Sequence, residues 1–239
     1  MKLLLTSNGL SNNSIAKAFQ ELIGKDPKDS KVAFIPTAAN GERGNKDWLI
    51  DDMHRIKEQG YYVDMVELTA ISLEELRKTL QAMDAIFVGG GSTFYLSYWM
   101  QKSGLFDILP ELLKTKVYAG ISAGSMITGE SLRLSSDVKN YNEVIEHYGP
   151  LADDDYDLTG PPGQSSSKTL KFVPFLFRPH LNSDYFPRVR KDFLEKAATK
   201  ISAPIYAIDD ESALKIVDGS VEVISEGEWL LFNDKSGNT

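Results

Sequence analysis

The sequence has no cysteine and only three histidines among its 239 residues. Without cysteine there can be no disulfide bond, no thiolate nucleophile and no cysteine-ligated metal. The histidines, His54, His147 and His180, are far apart in the chain, and none belongs to an H-E-x-x-H zinc motif. We therefore expect no metal site.

Long apolar runs are missing as well. No stretch approaches the roughly 18 apolar residues of a membrane-spanning helix. The start, "MKLLLTSNGLSNNS", has three consecutive leucines followed directly by polar residues. This apolar run is too short for the core of a secretion signal. We expect a cytoplasmic protein that does not interact with a membrane.

The chain also lacks an excess of positive charge. It has 26 basic and 34 acidic residues, a net charge of −8 and a sequence pI near 5.0. Its basic residues are scattered, apart from a cluster at Arg188, Arg190 and Lys191. A nucleic-acid-binding domain would carry a basic surface, so we expect no nucleic-acid partner. No linker is visible, and residues 1–239 are expected to form a single domain.

Strand-like and helix-like segments alternate along the first half of the chain. Helical patterns cover 11–24, with Ser11 or Asn13 as the expected N-cap, and 45–60, and a capping-box sequence at 72–75 opens a further helix. This alternation predicts an α/β fold, a three-layer doubly wound sheet with mostly parallel strands, in which ligands bind beyond the carboxyl ends of the strands. The strand-like runs are 2–7, 31–38, 61–68, 84–91 and 116–122.

The second half has a different organisation. Residues at about 138–168 are rich in Asp, Pro, Gly and Ser, which indicates an inserted loop, and long loops of this kind are often functional. A strand is predicted over 169–180 and a helix over 184–199. Further strands are predicted over 203–232, with a hairpin turn at Asp218-Gly219.

A candidate nucleophile follows the strand at 116–122. Residues 120–124 read Gly-Ile-Ser-Ala-Gly and match G-x-S-x-G, a sharp strand-to-helix turn that exposes a serine hydroxyl, here that of Ser122. Such a serine needs a base, usually an imidazole. His180 is the best candidate because it ends an apolar strand, whereas His54 lies in an amphipathic helix and His147 in the inserted loop.

Two further parts of a hydrolytic site have candidates. The carboxylate that would orient the imidazole is Asp137 or one of Asp209, Asp210 and Glu211, and the residues alone leave this choice open. The glycine run at 89–91 does not have phosphate-loop spacing. Its backbone N–H groups suit an oxyanion hole, with the N–H of Ala123 as the second donor; a tight turn without a ligand is the alternative.

Three segments, "FVGGGSTFYL", "GISAGS" and "FRPHLNS", together resemble the peptidase E family of serine dipeptidases, which includes the cyanophycinases. The resemblance runs from "LLLTSNG" to "AIDDESALKI" and implies the fold of class I glutamine amidotransferases. It implies that Ser122 is the nucleophile, His180 the base, and Gly90 and Ala123 the oxyanion donors. The acid falls on Asp210 or Asp137, with Asp210 preferred.

The resemblance also implies an activity that needs no cofactor: hydrolysis of dipeptides or short peptides next to a free amino terminus, often after aspartate. The aspartate carboxylate would need a cation, and Arg178, Arg188 and Arg190 are candidates because guanidinium pairs well with carboxylate. At least one of Arg188 and Arg190 is more simply a solvated helix residue. The segment between Ser122 and His180 is longer than in the dipeptidases and the loop after His180 is shorter, and both differences concern the substrate pocket.

Two other classes of function remain open at this point. The same machinery would serve an acyl hydrolase that acts on a non-peptide substrate. A binding protein could also retain the fold without catalysis, because fold does not determine function. The protein is expected to be a monomer or a homodimer, the latter if Tyr95 and Trp99 are exposed and pack against a second copy.

Overall fold

The computed structural model of the chain describes residues 1–135 and 163–234. Its largest element is a seven-stranded sheet in the order β3-β2-β4-β5-β1-β8-β9. The five strands from β3 to β1 are parallel, whereas β8 and β9 are antiparallel to their neighbours. The strands are β1 (Lys2–Thr6), β2 (Lys31–Ile35), β3 (Tyr62–Met65), β4 (Ala85–Val88), β5 (Val117–Ile121), β8 (Ser212–Val217) and β9 (Ser220–Ser225).

Helices cover both faces of this sheet, which confirms the predicted three-layer α/β fold. Alternate residues of one strand point to opposite faces of the sheet. In β1, Leu4 belongs to the apolar cluster with α1 and α2, whereas Leu3 and Leu5 belong to the cluster with α3, α4 and α5. The helices are α1 (Asn13–Ile23), α2 (Asp47–Glu58), α3 (Leu73–Gln81), α4 (Thr93–Lys102), α5 (Leu105–Leu112), α6 (Ala123–Met126) and α7 (Lys191–Ala198).

A second sheet of three strands lies beside the first. It consists of β6 (Leu176–Arg178), β7 (Ile205–Ile208) and β10 (Trp229–Phe232), in the order β10-β7-β6, with β6 and β7 parallel. Buried residues of β6 and β7 belong to the same apolar cluster as Leu3 and Leu5 of the main sheet. The two sheets therefore share a hydrophobic core.

Several predicted boundaries were wrong. The strand predicted over 169–180 begins only at Leu176, and the helix predicted over 184–199 begins only at Lys191. Pro174 and Pro187 precede these starts; proline lacks an N–H group and restricts the residue before it. The hairpin turn at Asp218-Gly219 was predicted correctly, and both of its residues have positive φ.

The predicted N-cap of α1 was also wrong. Asn12, rather than Ser11 or Asn13, accepts a hydrogen bond from the N–H of Ile15. The hydroxyl of Ser11 instead donates to the carbonyl of Asp210, at 2.7 Å. The first loop of the chain is thus joined to a loop some 200 residues away, which sequence patterns cannot reveal.

The inserted loop at about 138–168 lies mostly outside the described residues. Its last residues, from 163 onward, run along α4, where Trp99 donates to Gln164 and Ser97 donates to the carbonyl of Lys168. Tyr95 is buried and Trp99 is partly buried, so the exposed aromatic patch considered for a dimer interface is not formed by these two residues. In the described ranges, no helix has the length and apolar character needed to cross a membrane.

Candidate active site

Ser122 occupies a strained turn between β5 and α6. Its φ of 48° and ψ of −108° are rarely adopted by residues other than glycine. Hydrogen bonds hold the turn in place: the N–H of Ser122 donates to the carbonyl of Thr6 at 2.9 Å, and its own carbonyl accepts from Ser125 and Met126. The serine is therefore presented at the carboxyl end of the main sheet, as the G-x-S-x-G pattern predicts.

The glycines on either side of this turn are required by close backbone contacts. A Cβ atom on Gly120 would lie 2.5 Å from the backbone of Gly124, and one on Gly124 would lie 2.1 Å from the carbonyl oxygen of Val88. Neither position has room for a side chain. The pattern thus permits α6 to pack directly against β4 and β5.

His180 lies beside Ser122 but comes from the other sheet. It follows β6 by two residues, and its Nε2 is 2.9 Å from the Oγ of Ser122. Its backbone also has positive φ, 64°. Its N–H donates to the hydroxyl of Ser7, which itself donates to the carbonyl of Ile208. Ser7 is fully buried and fixes the backbone of the histidine relative to β7.

Asp210 completes a chain of hydrogen bonds. Its Oδ1 lies 2.7 Å from the Nδ1 of His180. The two residues meet because each follows, by two positions, one of the paired parallel strands β6 and β7, whose carboxyl ends lie at the same edge. When Nδ1–H donates to this carboxylate, Nε2 is left to accept a proton from Ser122.

The other candidate acids are placed differently. The carboxylate of Asp209 accepts hydrogen bonds from Glu211, Ser212 and Glu228, and it shapes the turn before β8. The carboxylate of Glu211 accepts from Asn12. Asp137 lies outside the described residues.

Gly90 and Ala123, the candidate oxyanion donors, both adjoin Ser122. A Cβ atom on Gly90 would lie 3.4 Å from the Cβ of Ser122, and Ala123 is the first residue of α6. Among the turn, loop and cap hydrogen bonds of the described residues, neither the N–H of Gly90 nor that of Ala123 donates to a backbone carbonyl. Next to Gly90, Gly91 has φ of +125° and passes so close to the backbone of Ala38 that no side chain fits. The glycine run thus brings the backbone of Gly90 close to the serine.

The three candidate arginines have different surroundings. Arg178 is buried and donates to the carbonyl of Leu134. Arg190 donates from Nη1 to three carbonyls of its own loop, those of Ser183, Phe186 and Val189. Arg188 is partly exposed, although its Nη1 is buried.

Sequence reasoning missed several residues that support the site. Ser7 and Ser11 follow β1, a position at a strand's carboxyl end that could have marked them. Phe186, whose ring stacks on that of His180, carried no sequence signal because it lies in an irregular loop. Trp48 of α2 reaches 3.7 Å from the position of a Cβ on Gly90.

A buried carboxyl group lies near the site. Asp52 of α2 is only 3% exposed. Burial raises the pKa of Asp52 to about 7; the negative charges of Asp51 and Asp210 act in the same direction, and Arg55 opposes them. In the part of the chain that the structure describes, no cluster of three or more His, Cys, Asp or Glu side chains is arranged to hold a metal ion.

The fold is a doubly wound sheet, and its site has a serine at a strand-to-helix elbow that is hydrogen-bonded to an imidazole. These features are typical of the class of serine hydrolases with an α/β fold. The profile described as Peptidase family S51 matches residues 3–224, so the chain belongs to this family and is a serine-type peptidase. The resemblance to peptidase E is thereby confirmed.

Individual relatives agree with this assignment. An uncharacterized peptidase of Pasteurella multocida is 25% identical over 198 residues, which cover 82% of this chain and 86% of that protein. A protein of Shewanella denitrificans named Peptidase E is 28% identical over 242 residues, with 98% and 91% covered. The crystal structure of a Listeria monocytogenes protein, described as a candidate Peptidase E, has a TM-score of 0.72 at 24% identity and covers 95% of this chain and 98% of that one, which shows the shared fold.

Proposed function

We propose that this serine peptidase hydrolyses dipeptides or short peptides through a triad of Ser122, His180 and Asp210. The observation that carries the proposal is the continuous hydrogen-bond chain, 2.9 Å from serine to imidazole and 2.7 Å from imidazole to carboxylate. Both distances lie within the range expected of a nucleophile, its base and the group that orients the base.

In this mechanism the Oγ of Ser122 attacks the carbonyl carbon of the scissile peptide bond. The Nε2 of His180 takes the hydroxyl proton and returns it to the leaving amine, which departs and leaves an acyl-serine. Water, deprotonated by the same nitrogen, then releases the acid product and restores the serine. Asp210 keeps the imidazole in the required tautomer and stabilises its protonated form.

The developing oxyanion would be bound by the N–H groups of Gly90 and Ala123. A donor of this kind contributes roughly 3–4 kcal/mol of transition-state stabilisation in other hydrolases. Both groups adjoin Ser122, and the close backbone packing of their neighbours Gly91 and Gly124 restricts their movement, so they need little reorganisation during the reaction. No cofactor is needed for any step.

Asp210 is preferred as the acid because of its contact with His180. Asp137, the alternative, lies outside the described residues and stays open. Comparing Asp210→Asn with Asp137→Asn would separate them. We expect kcat to fall by several orders of magnitude only for the variant that removes the orienting carboxylate, since an amide favours the wrong imidazole tautomer.

For the substrate, we propose peptides with a free amino terminus, and aspartate at that position is the first side chain to test. Arg178, Arg188 and Arg190 are the candidates for binding its carboxylate, because a guanidinium pairs bidentately with a carboxylate. We further propose a cytoplasmic monomer or homodimer whose partner is a small peptide, and not a nucleic acid or a membrane.

A panel of dipeptides and their N-blocked forms would test the function. Wild type, Ser122→Ala and His180→Ala are compared, with His54→Ala as the control because His54 is exposed on α2. We expect turnover of unblocked peptides by wild type and the control, and none by the two site variants. Labelling of Ser122 by a fluorophosphonate without any peptide turnover would favour a non-peptide acyl hydrolase. No labelling at all would favour a binding protein.

A further inference from the structure

The imidazole of His180 is held at its two nitrogens by Ser122 and Asp210, and the ring of Phe186 covers one of its faces. The ring centroids of His180 and Phe186 are 4.2 Å apart, and the two planes differ by only 8°. Hydrogen bonds at the ring edge leave the imidazole free to tilt about the line that joins its nitrogens. A flat ring stacked on one face restricts that tilt.

Phe186 belongs to a loop that folds back on the histidine. The N–H of Ser183 donates to the carbonyl of His180, and the N–H of Phe186 donates to the carbonyl of Ser183. Asn182 and Val189 close the loop at its base through a hydrogen bond of 2.9 Å. The position of the phenyl ring is thus determined by the backbone that continues from His180.

The side chain of Arg190 donates hydrogen bonds to backbone carbonyls of this loop. Its Nη1 lies 3.1–3.2 Å from the carbonyl oxygens of Ser183, Phe186 and Val189. One cationic group therefore joins three carbonyls that would otherwise repel one another. This contact gives Arg190 a structural task next to the site.

The stacked ring also has an electrostatic effect on the reaction. The face of an aromatic ring attracts a cation, and the imidazole becomes cationic when it takes the proton of Ser122. The attraction is absent while the imidazole is neutral. The contact is thus stronger in the transition state than in the resting enzyme, which is the condition for a contribution to rate.

We propose that Phe186 is a positioning residue of the site, which orients the imidazole of His180 and stabilises its protonated form, and that Arg190 holds Phe186 in place. The inference rests on the proposed function, since it assumes that His180 acts as the base for Ser122.

The test is the rate at which a fluorophosphonate probe labels Ser122, measured against pH. The probe reports activation of the serine without depending on the identity of the peptide substrate. Phe186→Leu removes the aromatic face and keeps apolar volume, whereas Phe186→Tyr keeps the face. Tyr185→Leu is the matched control, because Tyr185 is the neighbouring aromatic residue and is 91% exposed.

We expect Phe186→Leu to slow labelling about 5- to 10-fold at its pH plateau. The acid-side midpoint of its pH profile should move about 0.5 pH unit lower, because the protonated imidazole loses its partner. Phe186→Tyr and Tyr185→Leu should match wild type. Equal rates and midpoints in Phe186→Leu and wild type would overturn this inference alone. A wild type that shows no Ser122-dependent labelling would overturn the proposed function and this inference with it.

Arg190→Met provides a second variant in case Phe186→Leu does not fold. If Arg190 holds the loop, labelling slows and kcat falls for every peptide, since the effect passes through His180. If Arg190 only binds a substrate carboxylate, the labelling rate is unchanged and KM rises for aspartyl peptides alone. The second pattern would contradict the role in the loop.

Discussion

Individual residues of the site adopt backbone conformations that their side chains disfavour. Ser122 and His180 both have positive φ, and such positions cost of order 1–3 kcal/mol each. Hydrogen bonds from the N–H of Ser122 to the carbonyl of Thr6 and from the N–H of His180 to the hydroxyl of Ser7 oppose this strain. The last residue of β1 and the first residue after it thereby hold Ser122 and His180, although neither contributes a side chain to the hydrogen bonds that link serine, imidazole and carboxylate.

The raised pKa of Asp52 predicts how the stability of the folded protein depends on pH. This pKa rises from 3.8 to about 7 on burial, so the folded protein holds a proton that the unfolded chain has released between these values. Stability should therefore decrease as pH rises from about 4 to 7. Asp52→Asn removes the ionisable group and should be more stable than wild type at pH 8, by about 1–3 kcal/mol.

Urea unfolding at pH 5 and pH 8 would measure this effect. Glu58→Gln is the control, because Glu58 is an exposed carboxylate on α2 and is not among the charges that shift the pKa of Asp52. The pH dependence should be flatter in Asp52→Asn than in both wild type and the control. A stability difference between Asp52→Asn and wild type that is the same at both pH values would contradict the prediction.

At the scale of elements, the site depends on how closely α6 packs against the sheet. The backbone of Gly124 lies so close to the carbonyl oxygen of Val88 that no Cβ atom fits between them. Because this oxygen belongs to the backbone, it cannot rotate aside as a side chain could. Gly124 of α6 and Gly120 of β5 therefore set the position of Ser122, because they allow the helix to lie close to the sheet. The positions of His180 and Asp210 are set by another pair of elements, the parallel strands β6 and β7 that they follow.

Gly124→Ala should be severely destabilising. Its methyl group would force α6 away from β4, at a cost of about 3 kcal/mol or more, and any folded protein should lose most of its activity. Gly219→Ala is the control: it has positive φ but open space around it, so a cost of about 1 kcal/mol and full activity are expected. Thermal unfolding and peptidase assays would measure both effects. Equal costs in the two variants would count against the packing argument.

For the whole molecule, the site lies where two sheets meet. The serine comes from the main sheet, and the histidine and aspartate come from the three-stranded sheet. The shared apolar core and the hydrogen bond from Ser7 to Ile208 join the two. The geometry of the site therefore depends on the sheets staying together.

This arrangement predicts that the two sheets unfold together, as the expectation of a single domain requires. Trp229 lies on β10 of the small sheet, whereas Trp48 and Trp99 lie on helices of the main sheet. Variants that keep only Trp229 or only Trp99, with phenylalanine at the other tryptophan positions, would report each region by fluorescence in urea. We expect coincident transitions that also match the loss of activity. An earlier transition at Trp229 would indicate separate units.

The candidate site residues could be named from the sequence, but their arrangement in space could not. The alternation of strands and helices, the glycines around Ser122 and the strand-end position of His180 are local features, because each depends on a few neighbouring residues and the space that they need. The choice of Asp210, the support from Ser7 and Ser11, the stacking of Phe186 and the origin of the site in two sheets depend on contacts between segments distant in the chain. Those contacts arise from burial of a common core, and no local pattern encodes them.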